Sequence, residues 1–182
     1  MSILIGISGK ARHGKDYLAT ELLKIIPESA KYSLANALKC YCRVLGLMKE
    51  KDGKILQMVG TDLYRNNVDG DFWVKMLGYQ ISEENPKVAI IADVRFPNEV
   101  KWIEDNGGFC VRVERFNEDA SMYIADDRPA DHPSEIGLDD YPFKWRLEAV
   151  SGNLSKFAEY AQFMKTFIVG GIIYGPRHRG RL

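Results

Sequence analysis

Apolar and polar positions along the chain follow two periods, one typical of buried strands and one typical of helices. Three short runs are almost continuously apolar and rich in β-branched side chains, as in strands buried on both faces of a parallel sheet. These runs lie at residues 3–7, 88–92 and 109–113. Between them apolar side chains recur every three or four residues, which predicts helices. Strands that alternate with helices predict an α/β domain with a mainly parallel sheet.

The same patterns place weaker elements and a long loop. We predict short strands at residues 32–34 and 146–150, and helices near residues 18–26, 36–47, 50–66, 72–81, 97–103 and 154–167. Asp71 is the expected N-cap of the fourth helix. Residues 116–145 are polar and irregular, and a loop of this length in a compact domain is usually functional or mobile. We therefore predict one domain over residues 1–167, followed by a basic Gly/Arg-rich tail over 168–182.

Composition narrows the class of protein. The chain has 182 residues, with 25 Lys and Arg, 25 Asp and Glu, and 46% hydrophobic residues. This composition excludes a disordered or collagen-like chain, and zero net charge gives no reason to expect a nucleic-acid partner. The charge is nevertheless unevenly spread, at net +5 over residues 1–60, −9 over 61–145 and +4 over 146–182.

Features of a secreted or membrane protein are not expected. The cysteines, Cys40, Cys42 and Cys110, have neither zinc nor redox spacing, and their odd number argues against a disulfide framework. No basic region precedes the first apolar run, and no apolar run reaches the roughly 18 residues of a membrane span. We therefore expect a protein of the reducing cytoplasm, without a membrane partner.

The turn after the first strand carries the strongest chemical signal. Residues 9–16 fit the phosphate-loop motif G-x-x-x-x-G-K, placed between a strand and a helix as the motif requires. The glycines let backbone N–H groups converge on phosphate oxygens, and the helix N-terminus attracts the same anion. Lys15 is expected to reach the β- and γ-phosphates of a nucleotide. The predicted nucleotide-binding residues here are Gly9, Lys10, Ala11, Arg12, His13, Gly14, Lys15, Asp16 and Tyr17.

Two positions in this phosphate loop, residues 9–16, leave alternatives open. Asp16 stands where the motif usually has a Ser or Thr whose hydroxyl binds Mg²⁺. A carboxylate there either ligates the metal, directly or through water, or simply favours the first turn of a helix. Arg12 is a better phosphate ligand than His13, because guanidinium pairs bidentately with phosphate.

Further segments, taken in order along the chain, resemble the phage deoxynucleoside monophosphate kinases, a family of the P-loop nucleoside monophosphate kinase group. The matching segments are residues 8–17, 34–39, 60–65, 71–73, 92–99 and 132–135. The most specific are Asp93-Val94-Arg95-Phe96-Pro97-Asn98-Glu99 and the later His132-Pro133-Ser134-Glu135. The resemblance implies a P-loop NTPase fold, with about five parallel strands, flanking helices and a lid over about residues 116–145.

The resemblance also implies an activity. Members of the family transfer the γ-phosphoryl group of ATP to a deoxynucleoside monophosphate (dNMP), giving a diphosphate and ADP, with Mg²⁺ as cofactor. A small-molecule dNMP is then the expected partner, and the host cytoplasm the expected compartment if a phage encodes the chain. Similar kinases can be homodimers, although this sequence shows no interface signature.

Candidate residues for the acceptor follow from the resemblance. Asp93, at the end of the clearest strand, would organise Mg²⁺ or the acceptor; the alternative is a cap on the next helix. Arg95 and Arg65 would clamp the acceptor phosphate, and the alternative for each is a surface ion pair. Lys39 has a weaker claim and is equally consistent with a solvated helix lysine.

The remaining candidates lie on the acceptor side and in the predicted lid. Trp73 would stack on the acceptor base or belong to the core, and Asn98 and Glu99 would bind nucleotide or begin a helix. Arg128 would stabilise charge on the transferred phosphoryl group as the lid closes. Substrate contacts are also expected from His132, Ser134 and Glu135, with Asn153 near the adenine. The alternatives are that Ser134 caps a short helix with Glu135 in its first turn, and that Asn153 is an ordinary N-cap.

Two rival functions stay open at this point. The Gly-Lys-Asp form of the loop also occurs in phosphomevalonate kinases, so another small-molecule phosphate could be the acceptor. Clustered arginines at 177, 179 and 181 would suit a non-catalytic nucleotide- or DNA-associated protein.

Overall fold

Seven α-helices, one π-helix and five strands lie in the parts of the chain that the computed structural model describes, residues 2–50, 52–126 and 129–169. In chain order they are β1 (Ile3–Ser8), α1 (Lys15–Ile25), β2 (Ser29–Tyr32), α2 (Leu34–Val44), α3 (Gly53–Gln57), a π-helix (Met58–Arg65), α4 (Phe72–Glu84), β3 (Val88–Val94), α5 (Pro97–Asp105), β4 (Phe109–Phe116), α6 (Pro133–Ile136), β5 (Trp145–Val150) and α7 (Ser155–Val169). The predicted tail falls outside the described residues from 170 onward.

The strands form one parallel sheet in the order β2-β3-β1-β4-β5. The predicted P-loop type of α/β fold, a parallel sheet of about five strands with flanking helices, is confirmed. The second strand was expected at residues 32–34 and is displaced toward the N-terminus. The reason is a contact with a distant residue: the Asp93 carboxylate at the end of β3 accepts hydrogen bonds from the backbone N–H groups of Leu34 and Ala35, so a helix begins where the strand was predicted to end.

Apolar residues cover both faces of the sheet. Ile5, Ile7 and Ile90 point to the layer formed by α1 and α7, whereas Leu4 and Ile91 point to the layer of α2, α4 and α5. Strands buried on both faces explain why the sequence shows continuous apolar runs instead of strict alternation. Within the described residues no helix has both the length and the apolar character needed to cross a bilayer.

The strand order creates a crevice at one edge of the sheet. The connection after β1 leads to β2, toward one edge of the sheet. The connection after the neighbouring strand β3 leads to β4, toward the opposite edge. Ligands of open α/β sheets bind at such a switch point, outside the carboxyl ends of the strands. The phosphate loop follows β1 and residues 95–96 follow β3, so both predicted ligand-binding segments meet at this crevice.

One predicted helix has a different form. Residues 50–66 contain the short helix α3 and then an eight-residue π-helix that ends at Arg65. The Trp73 indole donates a hydrogen bond of 2.9 Å from Nε1 to the carbonyl oxygen of Gly60, inside this π-helix. A π-helix is rare and often marks a functional site, and apolar spacing alone cannot distinguish it from an α-helix.

Candidate active site

The phosphate loop is a turn that only glycine can make at its two ends. Gly9 has a φ of 154° and Gly14 a φ of 95°, conformations that side chains disfavour. A Cβ on Gly14 would also lie 2.6 Å from Cζ of Phe157 on α7. Backbone conformation and the space available therefore both require glycine at position 14. Helix α1 begins at the next residue, Lys15.

Lys15 is a buried cation at the start of α1. Its side chain is held inward, with Nζ donating to the carbonyl oxygen of Lys10 at 2.6 Å, and the residue is only 7% exposed. Burial, helped by the nearby positive charge of Arg95, lowers the pKa of Lys15 to about 7, against the opposing effect of Glu135. An anion bound beside Lys15 would favour its charged form and so raise its pKa again.

His13 anchors the phosphate loop to neighbouring backbone and does not line the cavity described below. The ring is almost fully buried, and it bonds the carbonyl oxygen of Tyr123 through Nε2 and the backbone N–H of Arg115 through Nδ1. Burial lowers its pKa below 6.5, so the ring is neutral at pH 7 with the proton on Nε2. The Arg115 guanidinium also donates to the carbonyl oxygen of Arg12. The loop is thus tied to the end of β4 and to the segment that follows it.

A second anchor is a residue that the sequence reasoning missed. Arg112 lies in β4 and is only 5% exposed. Its guanidinium donates to Ser8 Oγ at 3.1 Å and to the Asp139 carboxylate at 2.7 Å, and Asp139 also pairs with Lys10 at 2.7 Å. The available signal was an arginine inside an otherwise apolar strand, between Val111 and Val113.

A cavity of about 540 Å³ opens between this loop and the helices after β2 and β3. Twelve of the predicted site residues line it: Ala11, Arg12, Lys15, Asp16, Lys39, Arg65, Trp73, Asp93, Arg95, His132, Ser134 and Glu135. Predicted residues that lie outside its lining are Gly9, Lys10, His13, Gly14, Tyr17, Asn98 and Asn153. Arg128 is outside the described part of the chain. The cavity therefore joins the phosphate loop to the predicted acceptor arginines in one space.

Arg65 is held by a buried carboxylate. Its guanidinium contacts Glu99 at 2.6 Å and Asn98 at 3.1 Å, and it stacks 4.0 Å from the centre of the Phe96 ring. Glu99 is 2% exposed and also accepts hydrogen bonds from the backbone N–H groups of Arg95 and Phe96. Burial raises the pKa of Glu99, and Arg65 opposes that rise. Glu99, predicted either to bind nucleotide or to begin a helix, lies in the first turn of α5 and fixes the position of Arg65.

Arg95 is paired across the cavity with Glu135, which comes from α6. Arg95 donates to the Glu135 carboxylate at 2.7 Å and to the carbonyl oxygen of Ser134 at 3.0 Å. The other carboxylate oxygen of Glu135 accepts a 2.7 Å hydrogen bond from the backbone N–H of Ala11 in the phosphate loop. Glu135 is 5% exposed, so one buried carboxylate connects the loop to an acceptor-side arginine.

Two further carboxylates line the cavity. Asp93 accepts hydrogen bonds from Ser33 Oγ at 2.6 Å and from two backbone N–H groups that begin α2, so it caps α2 and not the next helix along the chain. The Asp16 side chain is 82% exposed and pairs with Lys31 at 2.5 Å. Asp16 also lies in the first turn of α1. Both offer hard oxygen donors at the cavity edge.

Comparison with known proteins gives a consistent result. Residues 53–140 match the family model for deoxynucleotide monophosphate kinase. The chain is 36% identical over 90 residues to the deoxynucleoside-5′-monophosphate kinase of Escherichia phage T5, an alignment that covers 47% of this chain and 34% of that enzyme. It is 28% identical over 167 residues to a protein of Acanthamoeba polyphaga mimivirus provisionally named a deoxynucleotide monophosphate kinase, covering 75% of this chain and 82% of that protein. The chain is therefore similar to deoxynucleotide monophosphate kinases, and the family model matches it over residues 53–140.

Solved structures agree on the fold. The tunicamycin resistance protein of Deinococcus radiodurans superposes with a TM-score of 0.55 at 13% identity, covering 93% of this chain and 96% of that one. A protein of Chloroflexus aurantiacus provisionally named a kinase also gives a TM-score of 0.55, at 14% identity, covering 93% and 97% of the two chains. At these identities the likeness concerns the fold alone.

The stretch matched by the family model holds the two arginines predicted to bind the acceptor and the glutamates that pair with them, Arg65, Glu99, Arg95 and Glu135. The phosphate loop lies outside that stretch. The phosphate loop is thus identified by its sequence motif, whereas the arginine side of the cavity lies in the stretch that the family model matches.

The remaining predicted residues have structural partners. Trp73 is 5% exposed, its ring packs against Tyr64 and Phe72, and the residue lines the cavity. The N-cap of α6 is His132, whose Nδ1 accepts from the backbone N–H of Ser134, so the expectation that Ser134 caps this helix is wrong. Glu135 does lie in the first turn of α6.

Three more predicted residues lie at the margins. Lys39 Nζ is 3.4 Å from Asn36 Oδ1, on the exposed side of α2. Tyr17 meets Phe157 edge to face, with ring centres 5.2 Å apart. Asn153 precedes α7 and accepts a hydrogen bond from Ser155 Oγ.

Proposed function

We propose that this protein is a deoxynucleoside monophosphate kinase that transfers the γ-phosphoryl group of ATP to the 5′-phosphate of a dNMP. The observation that carries the proposal is the shared cavity. A phosphate-loop lysine lines one part of it, and Arg65 and Arg95 line another. A donor and an acceptor phosphate can therefore face each other in one open cavity. The family match and the names of the phage T5 and mimivirus relatives support the same substrate class.

The chemistry requires little beyond positioning and charge. An oxygen of the acceptor phosphate attacks the γ-phosphorus of ATP, and the bond from that phosphorus to the β–γ bridging oxygen breaks, leaving ADP. The attacking oxygen is already anionic, so no strong general base is needed. Lys15 would stabilise charge on the donor phosphates, while Arg95 and Arg65 would hold the acceptor in line. In this proposal Arg128 adds positive charge from the lid, as the resemblance implies.

The donor set at the cavity fits a divalent cation of the Mg²⁺ type. Asp16 and Asp93 present carboxylate oxygens there, and the described residues contain no cluster of three or more His, Cys, Asp or Glu side chains that could form an all-protein cage. Mg²⁺ in phosphoryl-transfer enzymes is usually held by one or two carboxylates, waters and substrate phosphates. Asp16, and Asp93 through its remaining lone pairs, would hold it, and when bound it would neutralise phosphate charge.

The acceptor base has an apolar site available. Leu34, Leu38 and Leu56 line the cavity on the α2 side together with Gly60 and Trp73. Such a surface suits the flat face of a nucleobase. Stacking on Trp73 remains part of the proposal.

The decisive experiment is an assay of ADP formation with ATP and Mg²⁺, coupled to NADH oxidation. The acceptors are dAMP, dCMP, dGMP and dTMP, their ribose counterparts, and 5-phosphomevalonate. We expect turnover with at least one dNMP. Turnover of phosphomevalonate without any dNMP would assign the chain to the rival kinase class, and nucleotide binding without any ADP formation would contradict a kinase function.

ATP binding should be accompanied by proton uptake at alkaline pH. Because the pKa of Lys15 is about 7 in the unliganded protein, about nine in ten molecules lack that proton at pH 8. A phosphate beside Nζ favours the charged form, so binding recruits the proton. Titration calorimetry of Mg-ATP in two buffers of different ionisation enthalpy should give an uptake approaching one proton at pH 8 and near zero at pH 6. Equal enthalpies in the two buffers at pH 8 would contradict this role of Lys15.

A further inference from the structure

Glu135 accepts hydrogen bonds from two groups that are expected to bind substrate phosphate in the proposed function. One of its carboxylate oxygens lies 2.7 Å from the backbone nitrogen of Ala11 in the phosphate loop. The other lies 2.7 Å from a guanidinium nitrogen of Arg95, the proposed acceptor clamp. The residue is 5% exposed and lines the same cavity as both partners. A single anion thus occupies the space between the donor and acceptor ends.

The chemistry of this arrangement resembles that of a bound phosphate. A carboxylate, like a phosphate, accepts hydrogen bonds from a backbone N–H and from guanidinium, and it cancels the positive charge of Arg95 beside Lys15. The same negative charge would repel an arriving phosphate if it stayed in place. At about 4 Å, two unit charges interact several times more strongly near protein than in water.

We propose that Glu135 is an internal substitute for substrate phosphate, which holds the loop and Arg95 in the unliganded protein and is displaced when substrates bind. The proposal rests on the proposed function, because it takes Arg95 and the loop as phosphate-binding groups. Glu135 is placed to move in this way because it lies on α6, a helix of four residues between irregular segments. Its carboxylate is therefore carried by a short element outside the sheet.

Displacement makes the two substrates bind cooperatively. The first phosphate to arrive, at either end, must remove the carboxylate, and its affinity is reduced by the cost of that step. The second phosphate then meets a site from which the carboxylate has already gone, so it binds more tightly. By thermodynamic linkage the donor strengthens acceptor binding by the same factor as the acceptor strengthens donor binding. Couplings of this kind are typically about 5–150-fold.

The rival interpretation is a fixed brace. If Glu135 stays in contact with Ala11 and Arg95 in the complex, it holds both groups in position for the substrates. Its removal would then weaken binding of each substrate. The two interpretations predict opposite changes in the affinity for a single ligand, which makes them separable.

The test measures dissociation constants for the non-hydrolysable ATP analogue AMP-PNP with Mg²⁺, alone and with a saturating dNMP, by titration calorimetry. The proteins are wild type, Glu135→Gln and Glu135→Ala, with Glu118→Gln as the matched control, since Glu118 is an exposed acidic residue of the same long segment. We expect wild type to show at least about fivefold synergy. Both Glu135 variants should bind AMP-PNP alone more tightly than wild type, with the synergy falling toward one, and Glu118→Gln should behave as wild type.

Several outcomes would overturn the inference. Weaker binding of AMP-PNP alone in Glu135→Gln would establish the brace, and unchanged affinity together with unchanged synergy would make Glu135 a bystander. Should Glu135→Ala fail to fold, the near-isosteric Gln variant still decides between these outcomes. If wild type binds AMP-PNP but none of the four dNMPs, the proposed function fails, while the single-ligand comparison still tests whether Glu135 blocks the phosphate loop.

Discussion

Replacing Lys15 with methionine is expected to lower kcat by about 10²–10³-fold while the protein remains folded. The ammonium group is held within the loop by the carbonyl oxygen of Lys10, at 2.6 Å, where the charge on the transferred phosphoryl group would develop. A preorganised cation in a buried site contributes mainly to the transition state, so kcat should fall more than KM rises. Methionine keeps the buried alkyl stem of the side chain. Burial already disfavours the charged form of Lys15 and lowers its pKa to about 7, so loss of that charge should not destabilise the fold.

The control for this variant lies on the same helix. Lys24→Met removes a cation whose side chain is 60% exposed and pairs with Glu21 one turn away, so kcat should stay within about twofold of wild type. Steady-state rates, with thermal unfolding followed by circular dichroism, separate loss of catalysis from loss of fold. A Lys15→Met protein with near-normal kcat would mean that the loop does not hold the reacting phosphate.

Replacing Arg65 with methionine is expected to destabilise the protein by about 3–5 kcal/mol and to raise the KM for the acceptor. The stability effect arises from Glu99, which is 2% exposed and loses its partner at 2.6 Å. An uncompensated buried charge is far more costly than a missing surface ion pair. The lost cation also weakens the proposed acceptor site, so the variant reports on stability and function together.

The destabilisation should depend on pH with a defined sign. Burial already raises the pKa of Glu99 above its ordinary 4.5, and loss of Arg65, which opposes that rise, raises it further. The folded variant then binds a proton that the unfolded chain releases above pH 4.5. Its stability therefore falls relative to wild type as pH rises from 5 to 8, and the deficit shrinks in acid.

Urea unfolding at pH 5, 6, 7 and 8 measures this dependence. The double variant Arg65→Met/Glu99→Gln should recover part of the lost stability at pH 8, because Gln carries no charge. Lys101→Met is a suitable control, since this residue is in an exposed pair with Asp105 on α5 and should change stability by no more than about 0.5 kcal/mol. A deficit that does not vary with pH would show that burial of the Glu99 charge is not its cause.

Local patterns in the sequence were enough to predict the sheet and the phosphate loop. Continuous apolar runs identify β1 and β3 because both faces of these strands are covered, and the glycine spacing identifies the loop because only glycine fits at position 14. Arg95 could be selected because it directly follows a strand that ends at the crevice. These features depend on residues close together in the chain.

The partners of these residues could not be predicted in the same way. The contact between Ala11 and Glu135 joins positions 124 residues apart, and Arg112 meets Ser8 across 104 residues. Periodicity does not reveal such pairs, because a buried, paired arginine or glutamate looks the same in the sequence as an exposed one. His13 illustrates the problem from the other side: a polar residue in a phosphate motif is buried because the segment after β4 folds over it.

The contact between Gly14 and Phe157 has a consequence for how the protein is made. The phosphate loop lies near the start of the chain, yet the surface that confines its turn belongs to α7, the last described helix. During synthesis the loop therefore leaves the ribosome well before the aromatic ring against which it rests. A nascent chain that already holds β1, α1 and β3 still lacks the ring that confines this turn, so we expect the phosphate loop to reach its final packing only when α7 docks.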